Sequence, residues 1–389
     1  MPMSPSASRL GYRPELDGLR GVAILLVVLI HATGWPPGGL LGVDIFFTLS
    51  GFLITTLLLE EWQAYGSVSL RSFYLRRYFR LFPALAAFIL CYVLFVALIA
   101  QGDQPLRLRS AAFGVTYLSN WVMAFDRPFA EGEIGHLWSL SVEEQFYLLW
   151  PVVLIALLKL RLSPARGALL VGAMIVGIIC WRTFLDLSGS SDSRMYFATD
   201  TRFDQLLIGC LLAIGYVRAP GVLEKSKRFF IPTAMGAVTF LVWRILSRNL
   251  VSAWSFKIGF TLFAASTAIV IGALVTNTSP ALNRVLSTKL LVSLGLVSYS
   301  LYLWHPAVYT FVTRFTPAAD WSRFVSIPLE VSLSIVAAVA SYRLIEMPFL
   351  KKRRHLQRLQ ATKSRREEID LMVAENNVDE ETPGRPKPT

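Results

Sequence analysis

Long apolar runs recur along the whole of this chain, and no other feature limits its fold so strongly. They lie near residues 20–34, 40–59, 81–100, 141–158, 166–185, 202–217, 229–246, 257–275, 291–312 and 327–349. A helix needs about 20 predominantly apolar residues to cross a bilayer. Inside the bilayer the chain must satisfy its own backbone polar groups, so only helices and closed barrels span it. The runs are continuous rather than alternating, which selects helices. The expected fold is all-α, a polytopic membrane helix bundle of about ten transmembrane helices. A composition of 54% hydrophobic and 16% charged residues excludes an ordinary soluble domain, as does a mean hydropathy of +0.51. The stretch at 111–125 is too polar for an eleventh span and reads as a re-entrant or interfacial helix.

The formal net charge of +12 raises the question of nucleic acid. Lys and Arg gather instead in short loops and in the C-terminal tail, and no basic-aromatic platform is seen, so no nucleic-acid partner is expected. Arg9, Arg13, Arg71, Arg76, Arg77, Lys159, Arg161, Arg166, Arg218, Lys225, Lys227 and Arg228 fall before the first span and in alternate loops, whereas the loop between spans 1 and 2 carries none. The positive-inside rule then places both termini in the cytoplasm (N-in/C-in) of a multi-pass cell-membrane protein. Arg244, Arg248 and Lys257, between spans 7 and 8, dissent. The organisation expected is a cytoplasmic segment 1–19, a transmembrane domain 20–350 and a charged, partly disordered cytoplasmic tail 351–389. The first run is followed by "GWPPGG" rather than a small-residue cleavage site and reads as a retained span. Cys91, Cys180 and Cys210 fall in apolar runs and read as small core residues, not as a disulfide framework or metal site.

Ionisable residues within spans are functional candidates by default. "RGVAILLVVLIH" opens on Arg20 and closes on His31. Eleven helical steps put the two on one face, about 16 Å apart along the axis. His31 is either an interfacial histidine satisfied by a backbone carbonyl or a general base. Asp44, near the start of span 2, lies across a short Gly/Pro turn and is expected to meet His31. A carboxylate there would orient the imidazole, or form a merely structural pair. "FYLRRYFRLFP" carries Arg76, Arg77 and Arg80, with Arg76 and Arg80 four apart on one face. These are a membrane anchor or a bidentate phosphate site. "HLWSLSVEEQFYLLWP" offers Trp138, Glu143 and Glu144. The glutamates either cap the helix start or face the bundle, and adjacent residues cannot share a face. In "SYSLYLWHP", Ser298, Tyr302 and His305 form a polar stripe facing protein or a cavity. There is no G-x-S-x-G elbow and no H-E-x-x-H or Cys/His cluster, so neither serine acyl-enzyme chemistry nor a metal is expected.

Six words occur in order over residues 13 to about 350: "RPELDGLRGVAILLVVLIH", "GGLLGVDIFFTLSGFLIT", "SFYLRRYFRLFP", "HLWSLSVEEQFYLLWP", "RFDQLLIG" and "SYSLYLWHP". Together they resemble the acyltransferase 3 family of integral membrane O-acyltransferases. The family's pattern of a basic residue, ten residues and a histidine falls on Arg20 and His31. Its Arg-Arg-x-x-Arg falls on Arg76, Arg77 and Arg80, and its Ser-x-x-x-Tyr on Ser298 and Tyr302. The short tail points to the stand-alone ten-span type. The resemblance implies transfer of an acyl group, usually acetyl from acetyl-CoA, to a hydroxyl of a glycan or glycoside acceptor. In this expectation Arg20, Arg76, Arg77 and Arg80 bind acyl-CoA and His31, oriented by Asp44, is the base. Glu143 and Tyr302 assist catalysis, and Trp138, Glu144, Ser298 and His305 contact substrate. A secreted natural-product sugar is an alternative acceptor. A transporter or flippase is the rival class, but the broken helices in matching halves that it predicts are not seen.

Overall fold

The computed structural model describes residues 10–98, 102–248, 252, 254–315 and 321–352. Its helices in chain order are α1 Pro14–Thr33, α2 Gly42–Tyr65, α3 Leu70–Leu98, α4 Gln104–Val115, α5 Ser119–Ala124, α6 Glu131–Ile134, α7 Leu137–Lys159 and α8 Pro164–Leu187. They continue as α9 Asp192–Phe197, α10 Phe203–Arg218, α11 Pro220–Leu246, α12 Phe260–Val275, α13 Pro280–Leu286, α14 Lys289–Leu296, α15 Ser298–Phe315 and α16 Arg323–Ser341. π-helical turns precede α12 (Ser255–Gly259) and follow α16 (Tyr342–Glu346). No strand occurs among the described residues, and the chain is an all-α bundle.

All ten expected runs fall on helices, and the expected polytopic helix bundle stands. Among the described residues, seven helices are long and apolar enough to cross a membrane, and α14 with α15, bent by 73°, would make an eighth. The other two runs are α10 and the second half of α11. Helix α10 has 16 residues, about 24 Å at 1.5 Å per residue, and is buried on most sides, including Asp204 and Gln205. Helix α11 spans Pro220–Leu246, with an apolar stretch over Pro232–Leu246 among the described residues. The 111–125 stretch is not one helix: it divides between α4 and α5, with Tyr117 at a positive φ of 56° between them. Helix α1 starts at Pro14, six residues before the expected boundary. Pro14 stands at the first helical position, and Glu15 and Asp17 lie in the first turn, where the helix dipole favours them. Residues 1–9 and 353–389, including most of the expected tail, lie outside the described residues.

Helix α10 is the inner element because α2 can approach its backbone. A Cβ on Gly51 would lie 1.9 Å from the Leu206 carbonyl oxygen, and one on Gly209 would lie 2.1 Å from that of Thr48. Only paired glycines allow this contact, the small-residue logic of membrane helix packing. Trp150 Nε1 donates to Thr55 Oγ1 at 2.8 Å and ties α7 to the same helix. On the bundle's outside, Leu90, Leu94, Leu148, Leu149 and Val176 are exposed, as a lipid-facing surface requires. Cys91 and Cys180 are exposed too, which corrects their reading as core residues; only Cys210 is buried. Hydropathy cannot separate a lipid-facing position from a core one, because both media are apolar.

The dissenting Arg244 is not a loop cation. It is buried at the end of α11, donates to Ser255 Oγ at 3.0 Å and lies 4.8 Å from the Trp254 ring centroid. Lys257 pairs with Asp186 at 3.1 Å. Both cations are held by side chains and carry little orientation signal.

Candidate active site

Helices α1, α2, α3, α7 and α15 enclose a cavity of about 410 Å³. At one end it is lined by Leu10, Gly11 and Glu60, and at the other by Ser139 and Tyr302. Three cations line it: Arg20, Arg77 and Arg80. Arg20 Nη2 donates to Ser298 Oγ at 3.1 Å, across 278 residues of chain. The Arg77 guanidinium sits 4.4 Å from the Tyr147 ring centroid, a cation–π placement. Glu143, also on the wall, accepts from Ser50 Oγ at 2.5 Å. Tyr299 in the same wall donates to the Leu81 carbonyl at 2.8 Å and fixes α15 against α3.

Arg76 does not line this cavity. It pairs with Glu61 at 2.9 Å, apart from Arg77 and Arg80. Adjacent helical residues diverge by about 100°, whereas positions three apart share a face. The pair that faces the cavity is therefore Arg77 with Arg80, not Arg76 with Arg80. The capping alternative for the two glutamates also fails. Helix α7 begins at Leu137 behind His136 with no side-chain cap, so Glu143 and Glu144 stand beyond its first turn. Glu143 faces the cavity and Glu144 does not.

The inner end of the cavity is closed by one hydrogen-bonded group. The Tyr302 hydroxyl donates to the His136 carbonyl at 2.8 Å and lies 2.6 Å from Ser139 Oγ. Behind Tyr302 stand three imidazoles. The ring of His136 is 5.4 Å from that of Tyr302 and 5.8 Å from that of His305. His305 is 5.0 Å from His31, edge to face. The Ser298, Tyr302 and His305 stripe thus faces the interior, with all three residues buried. Ser298 and Tyr302 line the cavity, and His305 lies just behind it. His31 is exposed and does not line the cavity. Arg20 and His31 therefore mark opposite ends of one helix, with the cavity at the arginine end and an exposed ring at the histidine end.

His31 and Asp44 do not pair, which corrects the expected base and orienting carboxylate. His31 Nδ1 lies 2.7 Å from its own helix's Val27 carbonyl. That bond puts the proton on Nδ1 in the neutral ring and leaves the Nε2 lone pair free. Asp44 is instead paired with Arg202 at 2.9 Å, with both side chains almost wholly buried. The Arg202 guanidinium lies 4.1 Å from the Phe260 ring centroid, 5.0 Å from that of Tyr196 and 5.6 Å from that of Trp138. Trp138 belongs to this aromatic box rather than to the cavity. Beside it, Arg182 makes bonds of 3.2 and 3.1 Å to the two carboxylate oxygens of Asp204, and Thr261 donates to the same carboxylate at 2.5 Å. These two buried ion pairs tie α2, α8, α10 and α12 together.

Several residues of this centre were not singled out from the sequence: Ser50, Ser139, His136, Tyr147 and Glu346. His136 opens the quoted word "HLWSLSVEEQFYLLWP" and is one of only four histidines in the chain, which was a usable signal. Arg182 and Asp204 interrupt apolar runs, and the cost of intramembrane charge flags such positions. Glu346 is turned inward by the π-helical turn after α16 and accepts from Ser300. Among the described residues no group of three or more His, Cys, Asp or Glu is placed to hold a metal ion.

The bundle and this site define a polytopic helical membrane protein built around a cationic intramembrane cavity. A family model described as "Acyltransferase domain" matches residues 13–344, and the chain belongs to that acyltransferase family. It is similar to O-acetyltransferase OatA of Staphylococcus aureus strain NCTC 8325 / PS 47 and to that of strain COL, 35% identical to each over 358 residues. The match covers 88% of this chain but 58% of either relative. No solved structure matches the chain.

Proposed function

We propose that this chain transfers an acyl group, acetyl above all, from acyl-CoA to a hydroxyl of a cell-surface glycan or other glycosylated acceptor. The observation that carries the reading is the polarity of α1: Arg20 stands in a cavity with Arg77 and Arg80, and His31 is exposed at the helix's other end. The three arginines bind the phosphates of CoA at the cytoplasmic side, where both termini lie. The pantetheine arm runs along the cavity toward Tyr302, and the acyl group must pass that residue to meet His31, roughly 16 Å from Arg20 along α1. His31 Nε2 takes the acceptor's hydroxyl proton, and its tautomer is set by Val27 rather than by a carboxylate. Tyr302, the polar donor at the cavity's inner end, stabilises the oxyanion. The printed names of the relatives, O-acetyltransferases, favour acetyl and an oxygen acceptor. The setting is the cell membrane. A glycosylated secreted metabolite is an acceptor of the same chemistry.

The arginine assignment is tested by initial rates over a range of acyl-CoA concentrations. A charge-assisted hydrogen bond is worth roughly 1.5–3 kcal/mol, so Arg77→Gln or Arg80→Gln is expected to raise KM for acyl-CoA about tenfold to a hundredfold. Arg76→Gln, whose partner is Glu61, is expected to leave KM within about twofold. Equal effects at all three positions would show that the cavity is not where the phosphates bind.

A further inference from the structure

One carboxylate inside a membrane span has no part in the transfer proposed above: Glu330 of α16. It stands seven residues after Arg323, the first residue of that helix, which is about 10 Å along the axis. Ser326, Glu330 and Ser334 recur every fourth residue and are all buried, so α16 turns a polar stripe into the bundle. Glu330 is only 3% exposed. Its carboxylate nevertheless has no hydrogen-bond or ion-pair partner among the described residues. One turn on, Ser334 Oγ donates to the Glu330 backbone carbonyl at 2.7 Å rather than to the side chain. Neither carboxylate oxygen is sealed from solvent. A charge within a span is costly, and a buried polar group without a partner calls for an explanation. Protonation would not supply a partner, since the acid form is itself a donor.

The place of Glu330 is the corner where α1, α15 and α16 meet, beside His31. His31 Nδ1 folds back to within 2.7 Å of the Val27 carbonyl, and the Tyr309 hydroxyl donates to the Val28 carbonyl at 3.2 Å. The imidazole and the Tyr309 hydroxyl thus sit at one height on α1. Tyr309 lies within electrostatic reach of Glu330. Arg323, also within reach of that carboxylate, donates to the carbonyl of Ala32, the residue after His31, at 2.7 Å. His31 is exposed, so a molecule that arrives at its Nε2 meets this corner next. We propose that Glu330 binds the acceptor, its carboxylate taking hydrogen bonds from hydroxyls that flank the one deprotonated by His31. The inference rests on the function proposed above. A carboxylate only accepts, and its two oxygens suit neighbouring O–H groups, while the guanidinium of Arg323 offers donors at the edge of the same corner. The ligand class is a polyhydroxylated acceptor, a sugar, rather than a simple alcohol with no second hydroxyl to give. No bond or proton changes place at Glu330.

The test compares the full chain and its Glu330→Gln and Glu330→Met variants in liposomes, with radiolabelled acetyl-CoA and a total envelope-glycan extract, quantified by hexose content, as acceptor. Losing a hydrogen bond to a charged group weakens binding about tenfold or more. The expected result is a KM for the extract raised about tenfold in Glu330→Gln, which keeps the shape without the charge, and raised further in Glu330→Met. Turnover at saturating extract and KM for acetyl-CoA should stay within about twofold of the wild type. Glu330→Met should melt at or above the wild-type temperature, because an apolar side chain replaces an unpaired buried carboxylate. A KM for the extract that neither variant changes overturns the assignment. So does a loss confined to turnover, or a raised KM accompanied by a lower melting temperature in both variants, the signature of a merely structural carboxylate. A wild type that labels nothing in the extract overturns the functional reading itself, a result distinct from each of these.

Discussion

Replacing His31 with alanine is expected to lower acyl transfer by about 10²- to 10⁴-fold, the range that a positioned general base supplies, and to leave the fold intact. The two halves of this expectation come from different observations. The loss in rate follows from the free Nε2 lone pair at the solvent end of α1. The intact fold follows from the weak attachment of the side chain, which is exposed and bonded only to the Val27 carbonyl of its own helix. The measurement pairs acyl-CoA-dependent labelling of an envelope-glycan extract with thermal unfolding of the purified variant in detergent. Full activity in a well-folded His31→Ala protein would remove the histidine from the chemistry.

Asp44→Ala has a different signature. It leaves Arg202 charged, fully buried and without its carboxylate. Breaking one partner of a buried ion pair costs about 3–5 kcal/mol. The aromatic rings around Arg202 give back only part of that, because a desolvated cation–π contact is worth about 2 kcal/mol. The variant is therefore expected to fold in poor yield and to melt well below the wild type. A double variant that also replaces Arg202 with methionine should recover much of the loss, since it removes the stranded charge. Size-exclusion profiles and melting curves of the three proteins decide the matter. An Asp44→Ala protein that melts with the wild type yet transfers no acyl group would return the carboxylate to the catalytic set.

The sequence carries the helices and one axis of the site, but not its cross-section. Apolar run length gives every long helix, because the bilayer imposes it. It does not say how deeply α10 is buried in the bundle, since a core helix and a lipid-facing helix are equally apolar. The Arg20-to-His31 relation is legible because helix geometry alone determines it. The Ser298, Tyr302 and His305 stripe is legible for the same reason. Relations between helices are not. The partner of Asp44 lies 158 residues away, and a short turn to His31 offers a nearer, plausible and incorrect choice. The choice between Arg76 and Arg77 depends on which side of α3 meets α7, and a periodicity does not contain that phase. Buried ion pairs such as Arg182 with Asp204 announce themselves as charges in apolar runs, yet only the packing says who meets whom.

The closure made by Tyr302 and Ser139 also bears on economy of acyl groups in the cell. Donor and water are both abundant, and an enzyme that joins two sides of a membrane risks becoming a drain, splitting thioester without acylating anything. Here the exposed histidine and the cationic chamber are held apart by a tyrosine anchored at two points. Under the proposed function, a thioester bound on the chamber side would wait behind that hydroxyl, screened from His31. Selectivity for an alcohol over water thus has a source other than affinity: the acceptor must bring enough binding energy to dislodge a tyrosine, and a water molecule brings none.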